Sequence, residues 1–505
     1  MIFDSDHSVG RGAELQADVC VIGSGAAGIS LAHSLMKSGK KVILLEGSRQ
    51  VTAPDYSNVP LELQPRTKHR YFDPEAQPLY GATMGAQLSK VDPIFPTRSR
   101  VRGYGGTTNS WYGFTAPLQP IDFDRSDLDP TYRWPIGKND LDPYYNAALK
   151  YCSLGSWDVS VFGDPSFWIG KTEDMIALPS FPPNSPVEPY IMMIVPRGRE
   201  FPAGNPDSRL EFQNVWGPAI ETSDNVSLYK NAHVRHIEST SGRNSVSRLC
   251  VSTMRDGQAG HDFYVKAKHY IVAAGAIETA RLLLASDGLG NGLDQVGRYF
   301  MAHPHIVRSV EGLSPPSREV GVFFAGSAVQ GFKPSPIVWG MLVPKTEFLI
   351  EQAIGNFKIL VPSPTKLGIY FEQVPSPDSR VTLDRAARDP IFGDSQAHID
   401  WQLLPKDMHT MEIADRATLE AIGSISPIHN STRDYDFPFI GEHQMGTTRM
   451  SSQSSDGVVD TNCRVHGVDN LFVASGAVFR SGGQANPTFT IIALALRLAE
   501  HLAHL

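Results

Sequence analysis

Short unbroken apolar runs alternate along this chain with stretches in which apolar residues recur every three or four positions. Ala17 to Ile22 reads ADVCVI, the pattern of a strand buried on both faces. Ile29 to Ser38 has a helical period, and Lys41 to Leu45 is a second apolar run that ends at Glu46. Together they have the size of one βαβ unit. The pattern returns at Val226 to Ile237 (VSLYKNAHVRHI) and at Lys268 to Ala274 (KHYIVAA), where Gly275 leads into a helix predicted over Ala276 to Ala285. Near the end, NLFVA from Asn470 predicts a strand, and Pro487 to Leu502 a helix. Residues 51–97 and 153–220 are loop-rich. Residues 306–440 mix short strand patterns with Pro and Gly turns, as an antiparallel layer does. The fold class predicted is α/β, with a Rossmann-like cofactor domain and an inserted α+β substrate domain built on an antiparallel sheet. The cofactor domain is assigned to 1–135, 221–305 and 440–505, and the substrate domain to 136–220 and 306–439.

The first strand runs directly into Gly23-Ser24-Gly25-Ala26-Ala27-Gly28. Gly23 permits the tight strand-to-helix turn, and Gly25 lets a pyrophosphate approach the backbone. Gly28 allows the helix to pack on the strand. The helix start offers unpaired N–H groups and partial positive charge to phosphates. Glu46 stands where a carboxylate accepts hydrogen bonds from ribose hydroxyls, which favours FAD or NAD over NADP. The glycine pattern alone does not choose between these two. Arg98, Arg100 and Arg102 precede a second glycine-rich stretch, and one of them is a candidate to neutralise the pyrophosphate.

Composition narrows the picture. Hydrophobic residues make up 41% and charged residues 19% of 505, enough apolar material for a large core and against a disordered chain. The net charge of −8 argues against a nucleic-acid binder. No apolar run reaches the roughly 18–20 residues of a membrane span, so no membrane partner is expected. The polar, acid-bearing start resembles neither a signal nor a transit peptide. The four cysteines, Cys20, Cys152, Cys250 and Cys463, form no CxxC pair and predict neither disulfide framework nor zinc site. The expected location is cytoplasmic. The triplets at Asn225 and Asn430 are then chance glycosylation matches.

Five segments, in order, resemble the glucose–methanol–choline (GMC) family of FAD oxidoreductases. They are Gly23 to Glu46, Gly105 to Trp111, WPIGKNDLDPYY at Trp134 to Tyr145, HYIVAAGAIETARLLLAS at His269 to Ser286, and the stretch from His443 onward. The last contains HQMGTTRM at His443 to Met450, GVVDTNCRVHGVDNLFVASGAVF at Gly457 to Phe479 and SGGQANPTFTI at Ser481 to Ile491. Within the family, the NPT ending and the compact length look most like pyranose oxidases, FAD-dependent glycoside 3-oxidases and oxidases of aminoglycoside sugar alcohols. The resemblance implies an FAD-binding domain and a catalytic His–Asn pair, His443 with Asn486, 43 residues later. It implies cofactor contacts at Gly23, Gly25, Ala26, Ala27, Gly28, Glu46, Arg102, Gly105, Gly106, Thr107, Asn109, Ser110, Val234, Ala274, Gly275, Ser475, Gly476, Asn486, Pro487 and Thr488. Two departures stand out. Ser110, in TNSW, replaces the His to which pyranose oxidases attach FAD, which implies a non-covalent flavin. Ser475 replaces the Asp common in V-A-D-G-S.

The chemistry expected is removal of a hydroxyl proton and transfer of a hydride from the same carbon to flavin N5. His443 suits the base, because imidazole titrates near neutrality. Asn486 supplies an amide donor to the developing alkoxide. The start of the helix after Pro487 favours the negative edge of reduced flavin. No metal is expected: His303 and His305 read as a packed loop. His466 reads as structural, and Trp111, Tyr112 and Trp216 as either core or sugar-stacking rings. The partners implied are a carbohydrate substrate and O₂ or another electron acceptor, with an oligomer possible. The leading expectation is oxidation of a secondary sugar or glycoside hydroxyl, at C2 or C3, to a ketone. Its alternatives are a primary alcohol such as an aminoglycoside hydroxymethyl, a non-sugar alcohol, a redox-silent FAD lyase or binding module, and an NAD-dependent dehydrogenase.

Overall fold

In a computed structural model, the described residues are 1–48, 82–92, 95, 99–109, 111–173, 179–196, 211–312, 327–332, 335–363, 365–434, 438, 440–441 and 443–505. The first apolar runs form the centre of an eight-stranded sheet. From one edge its strands are Ile2–Asp4, Val226–Lys230, Val42–Leu45, Glu14–Ile22 and Gln258–Val272, all parallel. Val246–Arg255 and His233–Ser239 add an antiparallel meander beyond. Leu471–Val473 pairs in parallel with the end of Gln258–Val272, Tyr270 opposite Leu471. The strand expected at Ala17 begins earlier, at Glu14, because its partner continues the ladder back to Tyr264. Val226 to Ile237 divides in two at Asn231, whose φ is 56°.

A second eight-stranded sheet is antiparallel. Its order is Asn430–Arg433, His305–Glu311, Lys366–Phe371, Phe357–Ser363, Ile337–Pro344, Val187–Ile194 and Phe114–Thr115, with Ser327–Ala328 also on Ile337–Pro344. A small sheet joins Arg380–Arg388, Ser395–Asp400 and Ala82–Met84. The helix Ala26–Leu35 packs against Thr488–Ala503, which also packs against Lys138–Tyr151. Tyr145 stacks on Phe489 at 5.3 Å in that contact. One apolar core runs through all these layers. No helix among the described residues is long and apolar enough to cross a membrane.

Candidate active site

The glycine turn is built as its chemistry requires. Gly23 has φ 102°, and a Cβ there would lie 2.7 Å from Ala273 O. A Cβ on Gly28 would lie 1.9 Å from Gly23 O, so the helix packs on the turn only with glycine. The helix starts at Ala26, three residues before the expected position, because extended Gly25 already serves as its N-cap. The second glycine stretch closes on the first: Gly105 N donates to Ser24 O at 3.0 Å, and a Cβ on Gly106 would lie 2.8 Å from Gly25 Cα.

A long cavity begins here. Gly23, Gly25, Ala26, Ala27, Glu46, Arg102, Gly106, Thr107, Val234, Ala274 and Gly275 line it, and its far end holds His443, Ser475, Gly476, Asn486, Pro487 and Thr488. Three sequence-predicted residues do not reach its wall. Gly28 packs behind the turn, and Gly105 faces Gln213, whose Oε1 would be 2.0 Å from a Cβ there. Asn109 is buried and donates to Tyr104 O at 3.0 Å. Ser110 and Arg98 lie outside the described residues.

Three helices start at this wall: Ala26–Leu35 after Gly25, Gly275–Ala285 after Ala274, and Thr488–Ala503 after Pro487. None has a side-chain cap, so their first N–H groups and positive dipole ends are turned over to the cavity. That donor set and the glycine cradle fit a dinucleotide carrying a pyrophosphate and an electron-rich ring. Buried Glu46 accepts from Ser24 Oγ at 2.5 Å and from Ser48 N at 3.0 Å, which fixes its carboxylate at the strand end. Arg102 shares its charge with Glu278, 3.4 Å away. Burial opposes ionisation of Glu278, but Arg281 and Arg102 outweigh it and hold the carboxyl at about 2. Ser475 accepts from Ala477 N at 3.2 Å, in the role of a local cap.

At the far end, reciprocal bonds between Met301 and Met445 (3.0 and 2.9 Å) pair two remote segments, and Gly441 N donates to His303 O at 3.0 Å. This pairing sets His303 against His443, with Nδ1 to Nδ1 2.8 Å. His303 is therefore part of the site, not the packed loop read from sequence. Its Nε2 lies 2.9 Å from Gly483 O. A carbonyl only accepts, so Nε2 of His303 carries its proton and Nδ1 is an acceptor. His443 must then donate from Nδ1, which leaves its own Nε2 with a free lone pair. Burial, then the proximity of His303, Lys358 and His305, pushes the His443 pKa well below that of an ordinary imidazole. Burial, followed by Lys358, takes His303 down to about 3. Both rings are thus neutral at pH 7.

Asn486 is held from behind by Lys358, whose Nζ donates to its Oδ1. Lys358 lies on the strand Phe357–Ser363, is only 3% exposed, and is pushed by burial down to about 7. Sequence reading missed it, since one lysine in NFKILVP looks like a solvated strand residue. Beneath the loop before Asn486, Glu372 accepts from Gly483 N at 2.7 Å, and Asp122 accepts from Asn356 Nδ2 at 2.7 Å. Burial, and then the Asp122 charge, raises the Glu372 carboxyl. Trp111, Tyr112 and Phe114 line the cavity, while Trp216 stacks on Tyr151 at 4.2 Å in the core. His466 meets Ser451 Oγ at 3.1 Å. Among the described residues no cluster of three or more His, Cys, Asp or Glu side chains has the arrangement of a metal site.

Residues 208–305 and 375–495 match models described as GMC oxidoreductase, and 18–58 match an FAD binding domain. The chain is 27% identical to 2-methyl-1,2-propanediol dehydrogenase of Mycolicibacterium austroafricanum, over 97% of this chain and 95% of that one. It is 29% identical to a C-glycoside 3-oxidase of Microbacterium trichothecenolyticum over 57% of this chain and 56% of the relative. The crystal structure of pyridoxine 4-oxidase from Mesorbium loti superimposes with a TM-score of 0.55 and 17% identity, covering 97% of this chain and 99% of that one.

Proposed function

We propose, from the premise that this chain belongs to the GMC oxidoreductase family and is an FAD-dependent enzyme acting on CH–OH groups, that it oxidises a secondary ring hydroxyl of a sugar or glycoside, at C2 or C3, to a ketone. FAD, when bound, supplies the hydride acceptor. The glycine turn and the three uncapped helix starts would hold it, with Glu46 at the ribose end. The missing His at position 110 supports a non-covalent flavin. His443 Nε2 takes the hydroxyl proton. The Asn486 amide donates to the same oxygen as its negative charge grows, a contact whose loss typically costs roughly 10²–10³ in rate. General-base catalysis contributes roughly 10²–10⁴.

The observation that carries this reading is the hydrogen-bond pattern around His303, which leaves His443 with its basic nitrogen unoccupied in a cavity shared with Asn486. The glycoside 3-oxidase relative and the aromatic cavity wall support a ring hydroxyl. A second reading, a non-sugar or primary alcohol, is favoured by the dihydroxyalkane dehydrogenase relative, which matches nearly the whole chain. Reduced enzyme would return its electrons to O₂ or to another acceptor such as a quinone.

The test is anaerobic bleaching of the flavin by D-glucose, methyl β-D-glucopyranoside, paromamine and 2-methyl-1,2-propanediol. Fastest bleaching by a sugar, with a keto-sugar as product, is the expected result. Fastest bleaching by the diol moves the assignment to the second reading. No bleaching by any of the four, with photoreduction intact, overturns both.

A further inference from the structure

We infer that Lys358 is a positioning residue for the reaction: its ammonium locks the Asn486 amide with oxygen inward and nitrogen toward the cavity. The inference rests on the reading of His443 and Asn486 given above. An unanchored amide can turn over, and then an acceptor oxygen would meet the developing alkoxide and repel it. An ammonium has donors only, so the atom of Asn486 facing it must be the oxygen, whatever side of the amide is drawn there. Both amide N–H bonds are left for the cavity that Asn486 lines.

The surroundings show that Lys358 is not there as half of an ion pair. No carboxylate pairs with it among the described residues, and burial alone shifts its pKa, although it is almost fully enclosed. The Tyr370 ring also faces it, with its centroid 5.6 Å from Nζ, and the Lys358 charge acts on His303 and His443 as well. Tyr370 lies opposite Lys358 on the next strand and stacks on His305 at 4.8 Å. A buried cation whose hydrogen-bond acceptor is a candidate catalytic amide has its function written in that bond. The burial that drives Lys358 down to about 7 agrees with a site that keeps the cation for a reason other than stability.

The experiment is a double-mutant cycle with K358M and N486A, read as the limiting rate of anaerobic flavin reduction by the fastest alcohol of the four above. K358M is expected to lose roughly tenfold to a hundredfold, less than the ~10²–10³ expected when an oxyanion donor is removed outright. In the N486A background, K358M is expected to change nothing further at a pH above the acid limb, where the Lys358 charge no longer matters to the protonation of His443 and its remaining action runs through that amide. K358R, which keeps charge and donors, is expected to retain more of the rate than K358M, and it serves in the cycle if K358M does not fold. A crystal structure of K358M is expected to show Asn486 turned or split between two conformers. Additive losses, an unchanged rate in K358M, or an Asn486 fixed as before would each overturn the assignment. Wild-type reduction rates in both H443A and N486A would instead overturn the reading of the site, and the crystal structure would still report on the Lys358–Asn486 link.

Discussion

Replacing Lys358 with Met should make the protein more stable near neutral pH. The side chain is 3% exposed, and burial lowers its pKa from the ordinary 10.5 to about 7. A depressed lysine is one whose charge the fold carries at a cost. Above about 10.5 the unfolded chain is neutral too, and the group has no effect. As pH falls toward 7 the unfolded chain takes up a proton that the native state accepts only near 7, so stability is lost across that window and stays lost below it. The ceiling of this loss is about 5 kcal/mol, at ~1.4 kcal/mol per pH unit. Against it stands the Asn486 oxygen deprived of its donor, worth about 1–3 kcal/mol. The net gain for K358M is then about 2–4 kcal/mol at pH 7, or roughly 2–4 °C in Tm for a chain of this length. Thermal melts of wild type and K358M at pH 7 and pH 10, at matched flavin content, check it. A K358M protein melting below wild type at pH 7 would refute the reasoning, as would an advantage equally large at pH 10.

Other outcomes follow from the same geometry. H303A should slow flavin reduction by about tenfold, the worth of one hydrogen bond selecting the His443 tautomer. H303N, whose Oδ1 replaces the accepting nitrogen, should recover part of it; equal rates in the two variants would dismiss the tautomer argument. For the wild type, the acid limb of the reduction rate should lie below pH 6.5, because burial and the facing groups His303, Lys358 and His305 keep His443 unprotonated until lower pH; a limb above 6.5 in stopped-flow reduction would contradict this. G28A should purify with little flavin, since its methyl would meet backbone at 1.9 Å, and a normal flavin-to-protein absorbance ratio would count against the cradle.

The cofactor end was legible because its signals are local. Gly23, Gly25 and Gly28 fall within six residues, each at a position where the turn calls for a small residue, and the strand before them ends in the unbroken apolar run Val19 to Ile22. The His443–Asn486 pair was legible through resemblance, not through periodicity. His303 and Lys358 were not readable, for a physical reason. Their meaning lies in hydrogen bonds to residues 140 and 128 positions away, and only the second sheet and the Met301–Met445 pairing bring those partners together. Arg102 was a candidate to neutralise the pyrophosphate; it lines the cavity, and the ion pair with Glu278, in the helix that starts at Gly275, could not be read from the sequence.

A late part of the chain completes an early one. Helix Thr488–Ala503 lies on helix Ala26–Leu35, and strand Leu471–Val473 on the tip of Gln258–Val272. A ribosome working at about 5–20 residues per second needs roughly 20–90 s to travel between those two helices. Throughout that interval the glycine turn lacks the helix that starts after Pro487, and the face of Ala26–Leu35 that this helix covers stays open. The cradle opened at Gly23 thus waits for a wall that begins only at Pro487.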